Sequence, residues 1–215
     1  MQSSSTASGT FGLILAAGGG SRFGGPKLLT PVRGRPLVQL VIDAAAEARS
    51  LGVLAGTAAV VAREDAPLQD LFRRQGIEVV ENPSPTSGLA NSLRLGLEAL
   101  AAAGREQRVE AALLLLGDQP GVQASTIAAL IAAWRQGSSP IVRPRYARQP
   151  EAPGHPVLLA RSAWALANEV EGDQGIGIIL RARPSLVTVV DVPGANPDID
   201  TPADLAVFEE TIDGA

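Results

Sequence analysis

Residues Leu13 to Lys27 read LILAAGGGSRFGGPK, an apolar run that collapses into small residues and then presents an arginine and a lysine. Phe11 to Ala16 has the length and apolarity of a buried strand, and five glycines lie between Ala17 and Pro26. A strand that exits into such a loop fits an open parallel sheet, in which ligands gather beyond the carboxyl ends of the strands. Gly18, Gly19 and Gly20 carry no Cβ, so their backbone N–H groups can converge on an anion at close range. Arg22 and Lys27 add the charge a polyphosphate needs, one as a planar fork and the other as a mobile point charge. The stretch also reads as a flexible connection. Neither common nucleotide fingerprint fits: Pro26 and Leu28 flank Lys27 and spoil GxxxxGK[ST], and Phe23 stands where GxGxxG needs its last glycine.

Outward from the loop, strand and helix signals alternate. Helical periodicity covers Leu37 to Arg49, and strand signals at Thr57–Ala62 and Ile77–Val80 flank a polar helical segment, Ala66–Gln75. A helix over Gly88–Ala103, a strand over Val109–Leu116 and a helix over Ala124–Gln136 follow. The expected fold class is α/β, a Rossmann-like three-layer sandwich with a mainly parallel central sheet. The five prolines of Pro140–Pro156 predict one or two strands broken by loops and kept out of the middle of the sheet. Beyond them lie a helical stretch at Ser162–Glu169, a glycine-rich turn at Glu171–Gly177, a strand at Leu186–Val192, and a helix from Pro202 to Thr211 with Thr201 as its N-cap.

The chain has 215 residues, a formal charge of −4 and no cysteine, and is 46% hydrophobic but only 3% aromatic. One substantial core is expected, a single domain over residues 11–215 after a disordered leader at residues 1–10. The acidic balance gives no field for nucleic acid, and the absence of cysteine excludes disulfides, thiolate metal sites and a thiol nucleophile. The longest apolar stretch, Val109–Leu116, contains a glutamate and is far too short to span a membrane. The opening MQSSSTASGT lacks the regions of a signal peptide, so the expectation is a cytoplasmic protein.

Two acidic segments complete the pattern. Ala111–Pro120 reads AALLLLGDQP, and Asp118, just past a central strand, is placed to hold a divalent cation against phosphates or, alternatively, to cap an ordinary turn. Asn196–Leu205 reads NPDIDTPADL, where Asp198 and Asp200 share a face if extended, with helix capping as the alternative role of Asp200 or Thr201.

The loop LAAGGGSRFGGPKLL resembles the LAAGxSxRxGxxK signature of MobA-like nucleotidyltransferases, the group that includes molybdenum cofactor cytidylyltransferases and guanylyltransferases. The resemblance implies the nucleotide-diphospho-sugar transferase type of fold, with the loop wrapped around an NTP triphosphate. It implies Arg22, Lys27 and Asp118 as catalytic residues and Asp118 and Asp200 as ligands of Mg²⁺ or Mn²⁺, with Asp198 a weaker candidate. Nucleotide contacts are implied at Leu15, Ala16, Ala17, Gly18, Gly19, Gly20, Ser21, Lys27 and Asp118. ENPSPTSGLANSLRLG, similar to the family's NPxxxxGxxxSLxxG, adds Asn82, Ser87, Gly88 and Ser92.

On the acceptor side, PGHPVLL contributes Gly154 and His155, the only histidine, and EGDQGIG contributes Asp173 and Gly175. His155 alternatively serves the loop structure alone. The family pattern GDxGAR is altered here, since Ile176 and Gly177 replace its alanine and arginine. LAAG rather than LAGG resembles the cytidylyl branch, and the Ala17 methyl narrows the pocket toward a pyrimidine. The expected reaction is Mg²⁺-dependent transfer of CMP from CTP to the terminal phosphate of molybdopterin cofactor, releasing pyrophosphate, with a molybdoenzyme or chaperone as possible recipient. A sugar phosphate or another phosphate monoester as acceptor, and a non-catalytic nucleotide or molybdopterin carrier, are the alternatives.

Overall fold

The computed structural model describes residues 9–18, 23–103, 108–151 and 154–213. Gly19, Gly20, Ser21 and Arg22 of the loop, and residues 1–8 of the expected leader, lie outside the described residues. The first strand, β1 (Gly9–Ala16), is buried throughout and starts at Gly9, so Gly9 and Thr10 belong to the sheet and not to a leader.

Among the described residues seven strands form one sheet in the order β5-β4-β1-β6-β8-β7-β9. In chain order these are β1, β4 (Gly56–Ala62), β5 (Glu78–Asn82), β6 (Val109–Leu116), β7 (Ile141–Tyr146), β8 (Val157–Ala160) and β9 (Val187–Val192); β2 (Pro31–Val32) and β3 (Arg35–Pro36) make a separate small hairpin. β1 pairs in parallel with both β4 and β6. Side chains along β1 alternate between two cores, as a strand covered on both faces requires. Ile14 and Ala16 meet α1 (Leu37–Ser50), α2 (Ala66–Arg74) and α4 (Ala124–Gln136). Leu13 and Leu15 face α3 (Leu89–Ala103), the 3-10 helix at Arg161–Glu169 and α5 (Gly177–Ala182). These are the three layers that the α/β alternation predicts.

The proline-rich stretch corrects an expectation. β7 and β8 run inside the sheet, β8 antiparallel between β6 and β7. The prolines are tolerated because β7 pairs with β8 only through Ile141 and Val142. Pro144 lies beyond that ladder and faces no β8 partner that its missing N–H would deprive. The segment near Ser162–Glu169 is helical as expected but is a 3-10 helix. The final helix, α6 (Pro202–Asp213), begins in a reciprocal cap: Asp204 N–H donates to Thr201 Oγ1 at 3.2 Å, and Thr201 N–H donates to Asp204 Oδ2 at 2.7 Å.

Candidate active site

The parallel strands β1, β4 and β6 deliver their carboxyl ends to one edge of the sheet, and a cleft of about 760 Å³ opens there. Its wall includes Leu15, Ala16, Ala17 and Gly18 from the exit of β1, Asp118 beyond β6, and Asp198 and Asp200 from the segment before α6. A cleft of similar size opens at the other end of the sheet, where Arg108, Arg135 and Arg161 lie near the start of β6 and the ends of α4 and β8. That second cleft does not gather the acids and the amine of the first.

Lys27 sits in a short 3-10 turn, with only 9% of its side chain exposed. Its Nζ donates to Asp118 Oδ2 at 2.7 Å and to Asp200 Oδ1 at 3.1 Å. Burial works to lower the pKa of the ammonium, but the charge and hydrogen bond of Asp118, joined by those of Asp200, outweigh it and raise the pKa. Lys27 is therefore charged across the neutral range. Asp198 Oδ1 accepts from Gln119 Nε2 at 2.8 Å. Its carboxyl is pushed upward, chiefly by loss of solvent; Gln119 opposes the shift and the charges of Asp118 and Asp200 add to it.

The backbone fixes the two acids relative to each other. Ile199 N–H donates to the Asp118 carbonyl at 3.0 Å, which stitches the C-terminal segment to the end of β6. Asp204, through the cap of α6, also accepts from Asp200 N–H at 3.1 Å. Both acids thus face one cation from elements far apart in sequence. Two carboxylates converging on a single positive charge offer the oxygen donors that a hard divalent ion takes.

The nucleotide-side residues separate into wall and brace. Leu15, Ala16, Ala17, Gly18, Lys27, Gly88, Ser92 and Asp118 line the cleft. Asn82 is fully buried behind it: its Nδ2 donates to Ser92 Oγ at 3.0 Å, and its Oδ1 accepts from Ser84 N–H at 2.8 Å and from Asn91 Nδ2 at 3.0 Å. An amide so engaged holds the 82–92 loop in shape. Ser87 is exposed and does not belong to the wall.

On the acceptor side Asp173 lines the cleft, whereas Gly154, His155 and Gly175 do not. A Cβ at Gly154 would stand 2.1 Å from the Pro144 carbonyl oxygen, so this glycine packs the loop against β7. The His155 carbonyl accepts from Tyr146 Oη at 2.8 Å and from Asn196 Nδ2 at 3.1 Å. Burial, with the Arg143 guanidinium adding to it, pushes the imidazole down to about 4, so it is neutral at pH 7. Asn196 Nδ2 also donates to Gln119 Oε1 at 3.2 Å. Through Asn196 and Gln119 the His155 loop is tied to Asp198 on the cleft wall. Arg181 lies one turn beyond Gly177, its Nη1 3.7 Å from where a Cβ at that glycine would be. It also lies close enough to Arg143 to add to the burial that lowers the pKa of Arg143.

Glycine is required at position 88. Its φ is +87°, and a Cβ there would stand 2.2 Å from the carbonyl carbon of Gly172. The close approach seats the 171–177 turn against the start of α3, where Ala90 N–H donates to the Gly172 carbonyl at 3.0 Å. Gly88→Ala is expected to lower unfolding stability by about 1–3 kcal/mol and to weaken nucleotide binding about tenfold as the loop carrying Pro85, Thr86 and Ser92 shifts on the cleft wall. Thermal unfolding and calorimetric titration with CTP check the two parts, and unchanged affinity would refute the second.

Sequence reasoning missed Leu28, Glu64, Pro85 and Thr86, all of which line the cleft. Glu64 had a readable signal, since it follows the end of β4 by two residues, as Asp118 follows the end of β6.

The model of the MobA-like NTP transferase domain matches residues 12–189, which is most of the chain but stops short of Asp198 and Asp200. Nicotine blue oxidoreductase of Paenarthrobacter nicotinovorans is 35% identical over 203 residues, covering 88% of this chain and 91% of the relative. The crystal structure of Rv0371c from Mycobacterium tuberculosis H37Rv superposes with a TM-score of 0.76 at 26% identity, covering 94% of this chain and 99% of that one. The Rv0371c complex with manganese gives a TM-score of 0.75 at 25% identity, with 95% and 100% covered.

Proposed function

Since the chain belongs to the MobA-like NTP transferase family, we propose that its cleft transfers CMP from CTP to the terminal phosphate of molybdopterin cofactor, with pyrophosphate as the second product. The observation that carries this reading is the convergence of Lys27, Asp118 and Asp200 on one point at the carboxyl edge of the sheet. An oxygen of the acceptor phosphate attacks the α-phosphorus, a new P–O bond forms, and the bond to the β-phosphate bridging oxygen breaks with its electron pair leaving on pyrophosphate. The acceptor phosphate is already ionised at pH 7, so no side-chain base is needed.

Asp118 and Asp200 would hold Mg²⁺ or Mn²⁺, which would neutralise charge developing on the phosphates. A relative of this chain has been crystallised with manganese, which supports a divalent ion in this role. Lys27 turns its ammonium from the two carboxylates toward the triphosphate. Arg22 is assigned to the triphosphate with it, together with Gly19, Gly20 and Ser21 of the loop. Ala17, Gly18 and Ser92 bound the nucleoside, held in place by Asn82. Asp173 faces the acceptor. The His155 loop positions this wall, and its neutral imidazole adds no charge to it.

The test is pyrophosphate release with CTP, Mg²⁺ and molybdopterin cofactor, with sugar phosphates as alternative acceptors. Release with the cofactor alone supports the reading, and release only with a sugar phosphate moves the acceptor assignment. Binding of CTP with no release for any acceptor would favour a carrier. The name of the Paenarthrobacter relative favours a second reading, an oxidoreductase. It predicts conversion of nicotine blue with an electron donor and no release of pyrophosphate, and it leaves the Lys27–Asp118–Asp200 cluster without a task.

A further inference from the structure

Glu64 stands out among the residues of the cleft wall. It is exposed, follows β4, lines the same cavity as Ala17, Gly18 and Thr86, and makes no hydrogen bond or ion pair among the described residues. In the sheet order β1 lies between β4 and β6, so Glu64 and Asp118 leave the sheet on opposite sides of the exit of β1. The exits of β4 and β6 are two strand spacings apart, roughly 10 Å. A nucleoside has comparable reach from its α-phosphate to the far edge of its base.

Charge fixes which end of a nucleotide meets which wall. The triphosphate belongs with Lys27 and with any cation held by Asp118 and Asp200, and a bare carboxylate beside it would be repelled. A carboxylate offers only acceptors, so the group that satisfies Glu64 must be a donor. Among the pyrimidines, cytosine places an exocyclic amine where uracil places a carbonyl oxygen. A carboxylate facing that oxygen is repelled, whereas one facing the amine gains a charge-assisted hydrogen bond. The adjoining Ala17 is buried, and its methyl limits the width available to the base.

We propose that Glu64 selects the base of the bound nucleotide by accepting a hydrogen bond from the cytosine 4-amino group. This rests on the reading of the cleft as a nucleotide site and assigns that site a specificity residue.

The experiment is equilibrium titration of the full chain with CTP, UTP and GTP in the presence of Mn²⁺, for the unaltered protein and for Glu64→Ala and Glu64→Gln. The expected preference for CTP over UTP is about 10- to 100-fold. It should shrink about tenfold or more in Glu64→Ala. It should shrink also in Glu64→Gln, through a gain in UTP affinity, because the amide can donate to uracil O4. Loss of a negative charge alone would strengthen all three triphosphates together and leave the CTP to UTP ratio unchanged. An unchanged ratio in both variants overturns the assignment while nucleotide binding itself stands. Equal affinity for CTP and UTP in the unaltered protein, or tighter binding of GTP, also overturns it. Failure of every triphosphate to bind overturns both this assignment and the nucleotidyl-transfer reading.

Discussion

Asp118→Asn is expected to reduce pyrophosphate release by at least about a thousandfold while changing the unfolding temperature by only a few degrees. Asparagine keeps the size and one acceptor of the side chain, so the 2.7 Å contact survives as a hydrogen bond from the Lys27 ammonium to an uncharged amide oxygen. The lost charge leaves Asp200, 40% exposed, as the one ionised partner of the ammonium in this pair. A single carboxylate grips a divalent ion weakly, and Mn²⁺ titration followed by electron paramagnetic resonance should show the loss directly. Residual activity above a tenth of the starting value would remove Asp118 from the reacting centre.

Lys27→Met should separate two properties that ordinarily move together. Transfer is expected to fall about 100- to 10,000-fold, because the triphosphate loses a cation. Affinity for Mn²⁺ without nucleotide is expected to rise on the order of tenfold, because the ammonium no longer occupies the point at which Asp118 and Asp200 converge. Activity assays and metal titrations on one preparation test both halves, and weaker metal binding at neutral pH would contradict the arrangement.

The parallel half of the fold was legible because buried strands write themselves as short apolar runs. Phe11–Ala16 and Val109–Leu116 are visible in the sequence and sit side by side in the sheet. The other half was misread where a rule about hydrogen-bond ladders met a strand with a short ladder. Pro144 is compatible with an interior strand because β8 stops pairing with β7 at Val142, and register of that kind is a tertiary fact. Asp118 and Asp200 were readable as acids at the ends of elements. Their shared contact with Lys27 was not, because it spans 91 and 173 positions of chain. Asn82 shows the limit of motif reading: the motif marked the right loop, but the amide is consumed inside it and Ser92 faces the cleft. Glu64 lies outside every motif and became visible only when the exits of β4 and β1 met in one cavity.

The backbone bond from Ile199 N–H to the Asp118 carbonyl makes the pairing of the two acids depend on a local docking contact. Asp118 follows β6 and Asp200 precedes α6, so the two acids meet only while the segment around Ile199 is docked on the end of β6. A divalent ion shared by the two carboxylates would clasp that segment to the sheet, slowing its local opening and amide exchange without altering the strands beneath it.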